Sequence, residues 1–431
     1  MIAKIKIYFK ELKTFNWSLW VALCALALFP AIYQTIRTFL LSITTSTSGI
    51  DIVGQMEWYD LIDETLKAFL IVPLYSILNK SFIKSKEDFN KVTFKTLLVV
   101  FAFYALFNIG VLMYGHHLIR FMNPDTNDIS VMKNYLGLET IAFMIGIIPS
   151  FTNVVFVTIG KSRNVYIFLV IQALLGIVSD FVLVPQMGVN GIAISNIVTN
   201  SILAIAGIII LSIEGHMKAS WFNKSDGVIA KDWLKTGLFS GTQQFIDNIV
   251  YALMVVKMVN AIAEQGNYWV ANNFIWGWIL IPVSALTEII KRDCQNDYKD
   301  LKQSNYYLLS IFIFLLWTIS IPLWIPFFKS VERLENYQDI FLLTIKLAPF
   351  YIAYTLCMIP DSIFIGYGKT YYNMINSLLV NLIYYGIWFL LYLASAISFS
   401  LDAIILMFGF GMVFHEVISL VEEKAFFKKR C

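Results

Sequence analysis

Residues 188–213 read GVNGIAISNIVTNSILAIAGIIILSI, end to end without one charged side chain. Coiled as a helix at 1.5 Å per residue, such a run crosses the ~30 Å hydrocarbon core of a bilayer. The pattern recurs. Further apolar runs lie near 16–42, 57–79, 93–119, 132–159 and 164–184, then near 233–261, 267–290, 305–328, 338–364, 371–397 and 400–421. The run at 57–79 is the least apolar, because Glu57, Asp60, Asp63, Glu64 and Lys67 interrupt it. It counts as a span because 68–78 is apolar and its counterpart in the second half is clean. Composition agrees: 58% of the 431 residues are apolar and 14% charged, with mean hydropathy +0.70. Soluble domains carry roughly 25% charged residues. A soluble enzyme and a disordered tail are excluded. A net charge of +3 gives no reason to expect a nucleic-acid partner.

Lys and Arg set the orientation. With the N-terminus inside, 24 of the 32 basic residues fall on cytoplasmic segments and span edges. The outer segments hold Arg120, Lys133, Lys329 and Arg333, and Arg37, Lys67, Lys257 and Lys346 lie within spans. Such a bias is the positive-inside signature and predicts twelve spans with both termini cytoplasmic. The start, 1–14, alternates lysines with apolar residues and reads as a basic amphipathic helix on membrane lipid. Cys24, Cys294, Cys357 and Cys431 are scattered, with no CxxC pair, so neither a disulfide framework nor a zinc site is expected.

The two halves repeat at a nearly constant offset. Leu28-Phe29-Pro30 and Gln34 match Leu238-Phe239-Ser240 and Gln244 at 210. Ile71-Val72-Pro73 matches Leu280-Ile281-Pro282 at 209, and Gly160-Lys161-Ser162 matches Gly368-Lys369-Thr370 at 208. The last pair is no phosphate-binding loop, because Val155 and Ile363 stand where the loop needs its first glycine. Six spans per half, both starting inside, make parallel repeats about an axis along the membrane normal. The expected fold is an all-α polytopic membrane protein: twelve transmembrane helices as two pseudo-symmetric six-helix bundles around a central cavity. Its lobes are 1–214 and 233–431, joined by a cytoplasmic linker, 215–232.

Four stretches carry a family resemblance. Gly188-Val189-Asn190-Gly191-Ile192-Ala193-Ile194-Ser195-Asn196 resembles the Gly- and Ala-rich start of the sixth helix of the multidrug and toxic compound extrusion (MATE) family. Ile365-Gly366-Tyr367-Gly368-Lys369-Thr370 resembles that family's turn after the tenth helix, with Ile365 in place of Arg. Gly241-Thr242-Gln243-Gln244-Phe245-Ile246-Asp247 resembles its seventh helix, which often carries an acid six residues after a Gly, and 258–275 resembles the stretch joining the seventh and eighth. The family shares a superfamily with the lipid-linked oligosaccharide flippases. The chain departs from the family pattern in the first half. No acid lies between Glu11 and Asp51, where Ser42, Thr44 and Thr45 stand, and Gly176 occupies the Asn place four residues before Asp180. The resemblance implies a monomer in the plasma (inner) membrane of a prokaryote. It implies a cation-coupled antiporter exporting amphipathic organic compounds, with H⁺ or Na⁺ as coupling ion, no cofactor and no enzymatic activity. The alternative on the same fold is a flippase for a lipid-linked oligosaccharide or other anionic amphiphile, its phosphates held by Arg37, Lys67, Lys257 and Lys346.

An ionisable group at mid-span costs roughly 2.5–3.5 kcal/mol by insertion scales, so each one invites a functional reading. Asp247, midway along the seventh span, is the first candidate for coupling; it exchanges H⁺, or binds Na⁺ with Gln243, Gln244 or Asn248. A structural pair with Arg37, its counterpart at offset 210, is the competing reading. Asp180 is a first-half contributor or a solvated helix end before Pro185. Asp361, five residues before Gly366, suits a coupling, gate or helix-end role. Asp63-Glu64 match Asn272-Asn273 at offset 209, which suggests walls of one cavity. Gln34, Arg37, Tyr33 and Trp276, with the mid-span aromatics Tyr75 and Trp278, complete the expected substrate lining, suited to cations through stacking and cation–π attraction. Glu139 and Lys257 are charges that pair or snorkel. His116, His117, His216 and His415 show no helical metal-ligand spacing, so no metal is expected beyond Na⁺ at Asp247.

Overall fold

The computed structural model describes residues 15–44, 48–124, 128–220, 226–294, 303–397 and 400–428. The basic start 1–14 and Thr45 lie outside them. All regular structure among the described residues is helical. In hydrocarbon every backbone N–H and C=O needs a partner within the protein, and a helix supplies it locally. The helices are α1 (Trp17–Thr44), α2 (Ser48–Gln55), α3 (Glu57–Leu70), α4 (Val72–Lys84), α5 (Lys86–Met122), α6 (Ile129–Thr158), α7 (Ser162–Met187) and α8 (Val189–Ile213). There follow α9 (Asp226–Tyr251), α10 (Lys257–Ala261), α11 (Gln265–Phe274), α12 (Ile281–Asp293), α13 (Gln303–Pro326), α14 (Tyr337–Gly366), α15 (Tyr371–Leu378), α16 (Gly386–Leu393) and α17 (Leu401–Lys428).

Nine of the described helical segments are long and apolar enough to cross a membrane. A tenth, Gln265–Ile279 with Ile281–Asp293, does so as one span bent by 50°. The remaining two expected spans are α3–α4 and α9–α10. Both are helical; α3 and α4 are each shorter than a full span, and the apolar run of α9 is broken by the amides and hydroxyls of Thr242, Gln243, Gln244 and Asn248 as well as by Asp247. They are the segments that bear most of the polar chemistry described below.

The repeat read from offsets has a backbone counterpart. Pro73 and Pro282 each open a helix, because proline has no N–H to give and clashes with the turn before it. Beyond both breaks the ladder resumes. Indoles bond to carbonyls beside the second break: Trp317 donates to the Ile279 carbonyl at 2.8 Å and Trp20 to that of Pro282 at 3.0 Å. The turns at Gly160 (φ 74°) and Gly368 (φ 67°) are built alike. Lys161 N–H reaches back to the Phe156 carbonyl at 2.8 Å, and Lys369 N–H to that of Phe364 at 2.7 Å. That six-to-one bond closes a helix through a left-handed residue, which glycine adopts without steric cost. The halves differ in one respect. Wider π turns interrupt the helices at Ala252–Val256, Ile275–Ile279, Phe327–Val331 and Leu379–Tyr385, all in the second half.

The chain divides into two compact units, and the division does not fall at 215–232. One unit is Leu40–Ala261; the other joins Met1–Phe39 to Ile262–Cys431. The first expected helix is therefore grouped with the second half, and the seventh with the first half. In Leu40–Ala261 a core of Leu74, Leu78, Phe89, Tyr104, Phe151 and Phe156 is closed to water. There α6 and α8 approach closely, since a Cβ on Gly207 would stand 2.8 Å from Thr152 Oγ1. Helix α9 lies on α3: Ser240 Oγ donates to the Ala68 carbonyl at 2.8 Å, and a side chain on Gly241 would overlap the Phe69 ring. In the other unit α1 is tied to the π turn 275–279 by Trp278 Nε1–H, which donates to Thr35 Oγ1 at 2.9 Å.

Candidate functional site

The acids of α3 converge on α5 and α6 inside the unit Leu40–Ala261. Helical spacing puts Asp60, Asp63, Glu64 and Lys67 within two turns of one another. Lys67 Nζ pairs with Asp63 Oδ2 at 2.5 Å, and the Tyr104 hydroxyl from α5 donates to Asp63 Oδ1. One turn earlier, the Tyr59 hydroxyl lies 2.7 Å from Asn108 Oδ1 and 2.8 Å from Thr140 Oγ1 on α6. Glu139, next to Thr140, accepts from Asn196 Nδ2 of α8 at 2.7 Å. Asp60 feels the charges of Glu139, Asp63, Glu57 and Glu64 together. Five carboxyl groups thus gather round one ion-paired lysine. Asp63 and Glu139 are buried, whereas Asp60 and Glu64 are exposed.

Helix α9 closes one side of this cluster. Asn248 Nδ2 donates to the Leu61 carbonyl at 2.9 Å and Thr65 Oγ1 at 3.1 Å, and lies 3.5 Å from Glu64 Oε2. Gln244 Nε2 donates to Asn248 Oδ1 at 3.0 Å, and Tyr251 bonds to Glu57. Asp247 and Gln243 are half-buried neighbours on the same helix. The structure therefore brings Glu64 and Gln244 into one network with Asn248, which sits beside Asp247, while Asp63 next to Glu64 bonds to Lys67 and Tyr104.

Asp180 is buried completely in α7, so the alternative of a solvated helix end fails. Asp361 is equally no exposed helix end. Its carboxylate stands 2.9 Å from His415 Nε2 and accepts from Ser419 Oγ at 2.8 Å, both on α17. The second-half lining residues group separately. Tyr351 donates to Asn272 Oδ1 at 3.1 Å. Trp276 meets Tyr354 edge-on at 5.2 Å, while the Asn273 amide nitrogen is buried without a hydrogen-bond partner. On α1, Arg37 bonds to the Tyr33 hydroxyl, one turn before it, and lies over that ring at 4.6 Å; Gln34 is half-buried. The other bases within spans are engaged as well. Lys257 donates to the Phe121 carbonyl and lies over its ring, and Lys346 pairs with Asp402 at 2.5 Å.

Two apolar pockets lie beside these residues. One of about 630 Å³ lies among Thr35, Phe274, Trp278, Trp317 and Trp324. One of about 560 Å³ lies among Trp58, Thr65, Phe69, Phe121 and Asn248. Of the expected cavity residues Trp278 lines the first; Tyr33, Gln34, Arg37, Asp63, Glu64, Gln243, Gln244, Asn272, Asn273 and Trp276 line neither. Glu139, Asn196, Tyr104, His415 and Ser419 are the participants that sequence reasoning left without a role. A single acid inside the apolar run 132–159 was the available signal for Glu139.

Outside the spans, charge pairs follow ordinary surface behaviour. Lys80, hydrogen-bonded to Asp232 at 2.7 Å, holds that carboxyl below the usual range. Burial pushes Glu332 up to about 8.

No protein-family profile matches the chain, and no curated protein does. Solved structures match over nearly its whole length. An inward-facing multidrug resistance MATE family transporter of the MOP superfamily is 16% identical, covering 91% of this chain and 93% of its own, with TM-score 0.74. A MOP superfamily transporter from Pyrococcus furiosus, for which a reversed polarity of the binding pocket is described, is 17% identical over 94% and 95%, with TM-score 0.67. A mutant of the Vibrio cholerae MATE transporter VcmN is 11% identical over 96% and 97%, with TM-score 0.64. The chain therefore has the polytopic all-helical fold of the MATE transporters.

Proposed function

We propose that the protein is a secondary active exporter of amphipathic organic cations, driven by an inward flow of H⁺ or Na⁺. The observation that carries this reading is the cluster of five carboxyl groups round Lys67 in a chain with a MATE fold. Asp60 and Glu64 offer a cation carboxyl oxygens next to buried Asp63 and Glu139, and Asp63 is ion-paired with Lys67. Asp247 carries the coupling ion, with the oxygens of Gln243, Gln244 and Asn248 as neighbours, and Asp180 contributes from α7. Transport proceeds by alternating access of two lobes, 1–214 and 233–431, joined by the cytoplasmic linker 215–232. Tyr33, Gln34, Arg37, Asn272, Asn273 and Trp276 line the route. The protein works as a monomer in a plasma membrane with both ends cytoplasmic, without a cofactor and without catalysing a reaction.

The engaged state of the basic residues favours a cationic over an anionic cargo. Lys67 and Lys346 are ion-paired, and Arg37 and Lys257 rest on aromatic rings. A lipid-linked phosphate would have to displace these partners. The test is transport in proteoliposomes carrying a pH or Na⁺ gradient, with a lipophilic cation and a short-chain anionic amphiphile as alternative cargoes. Export of the cation by the wild type, and its loss in Asp247→Asn, are expected. Full gradient-driven export by Asp247→Asn removes that residue from coupling. Movement of the anion instead of the cation replaces the reading with the flippase.

A further inference from the structure

A second polar group lies outside the acid cluster, in the unit containing Ile262–Cys431. Cys357 and Asp361 are one turn apart on α14, so they project from the same face. His415 comes from α17, which packs along α14. One donor atom from each of the three lies within 4.8 Å of the others. A tetrahedral Zn²⁺ site, with bonds of roughly 2.0–2.3 Å, sets its ligand atoms about 3.3–3.7 Å apart. The three donors thus need only side-chain adjustment to close on an ion.

The surroundings are those of a supported ligand set. Asp361 Oδ1 is held by Ser419 Oγ at 2.8 Å, and Ser419 is held in turn by Asn376 Nδ2 at 2.5 Å. That chain fixes the carboxylate and leaves Oδ2 turned to His415 Nε2. Orientation of a ligand by a further hydrogen bond is what metal sites require of their outer shell. Cys357 and Asp361 are buried at 1% and 6% exposure, while the His415 side chain is 28% exposed and provides an access path. A thiolate, an imidazole and one carboxylate select a borderline-soft ion over Na⁺, Mg²⁺ or Ca²⁺. The chemistry is therefore distinct from that of the coupling ion.

We propose that Cys357, Asp361 and His415 bind a divalent first-row transition ion of the Zn²⁺ type, which links α14 to α17. Its fourth position is left to a non-protein ligand. Binding takes the thiol proton from Cys357 and leaves the ring proton of a neutral His415 on Nδ1, with Nε2 on the metal.

The test uses full-length, tag-free protein titrated with Co²⁺. A thiolate-to-cobalt charge-transfer band should saturate at one equivalent and disappear when Zn²⁺ is added. Cys357→Ser should abolish the band. His415→Gln should weaken binding at least about 100-fold, and Ser419→Ala about 10- to 100-fold with the band retained. Folded wild-type protein that gives no band overturns the proposal, as does a band that persists in Cys357→Ser. Because the decisive reading is on the wild type, loss of folding in a variant does not rescue the idea.

Discussion

The second and eighth expected spans are one backbone device carrying two chemistries. Each breaks one residue before a helix that opens on a proline, at Ile71 and at Leu280. At offset 209, Asp60, Asp63, Glu64 and Lys67 correspond to Trp269, Asn272, Asn273 and Trp276. Asp63 accepts from Lys67 and from Tyr104, whereas Asn272 accepts from the neutral Tyr351. The repeat retains the break and the placing of polar side chains along the helix. It does not retain the charge. Carboxyl groups are concentrated in one half, while aromatic rings and amides occupy the matching places of the other. On the proposed account the first binds cations and the second offers stacking surface.

Removing charge from the first half is the strongest way to break this contrast. Asp60→Asn with Glu139→Gln should bring gradient-driven cation export to background in proteoliposomes. Trp276→Phe, at the position matching Lys67, should retain most of it. Equal losses from the two changes would show that the charge asymmetry is irrelevant to transport.

A smaller effect should appear in stability. Asp63→Ala strands the buried Tyr104 hydroxyl and the partly exposed Lys67, which should cost about 2–3 kcal/mol. Asn272→Ala removes a neutral hydrogen bond and should cost about 1 kcal/mol. Thermal melting in detergent separates the two, and equal costs would contradict the asymmetry. By contrast, the shared turns should respond alike. Gly160→Ala and Gly368→Ala each force a side chain into left-handed backbone and should each cost about 1–2 kcal/mol. Unequal costs would weaken the claim that the two turns are one motif.

A separate, pH-dependent effect concerns Glu332, a buried acid beyond α13 in the aromatic half. Its carboxyl is raised from 4.5 to about 8 by burial. The folded state holds that proton more tightly than the unfolded chain does. Its stability contribution is therefore full below about pH 4.5 and is lost as pH rises through about 8. The melting temperature should fall between those limits, and Glu332→Gln should flatten that part of the profile. An unchanged slope would remove the residue from the account.

Sequence reasoning could reach some of this and not the rest, for physical reasons. Long apolar runs betray spans because the bilayer acts on every residue of them, so α5 to α8 were plain to read. The Gly160 and Gly368 turns were equally legible, since a left-handed backbone demands a particular residue. Apolar run length understates α3–α4 and α9–α10, because the first is broken at Ile71 and the second carries the polar side chains Gln243, Gln244, Asp247 and Asn248. Partners were legible only within a helix. Asp63 and Lys67 are four residues apart, and spacing suffices to join them. Glu139 and Asn196, or Asp361 and His415, meet only after different helices pack, and no local pattern records that. The grouping of α1 with the second half and α9 with the first is likewise a fact of packing, which offsets along the chain do not encode.

The central claim is that acidic side chains of the first half seat the cation whose export an inward ion gradient drives. It is tested most directly by efflux of a lipophilic cation from proteoliposomes containing either the wild type or Asp60→Asn with Glu139→Gln. The account predicts that an imposed H⁺ or Na⁺ gradient expels the cation through the wild type and not through the doubly neutralised protein. Equal gradient-driven efflux by both proteins would contradict it.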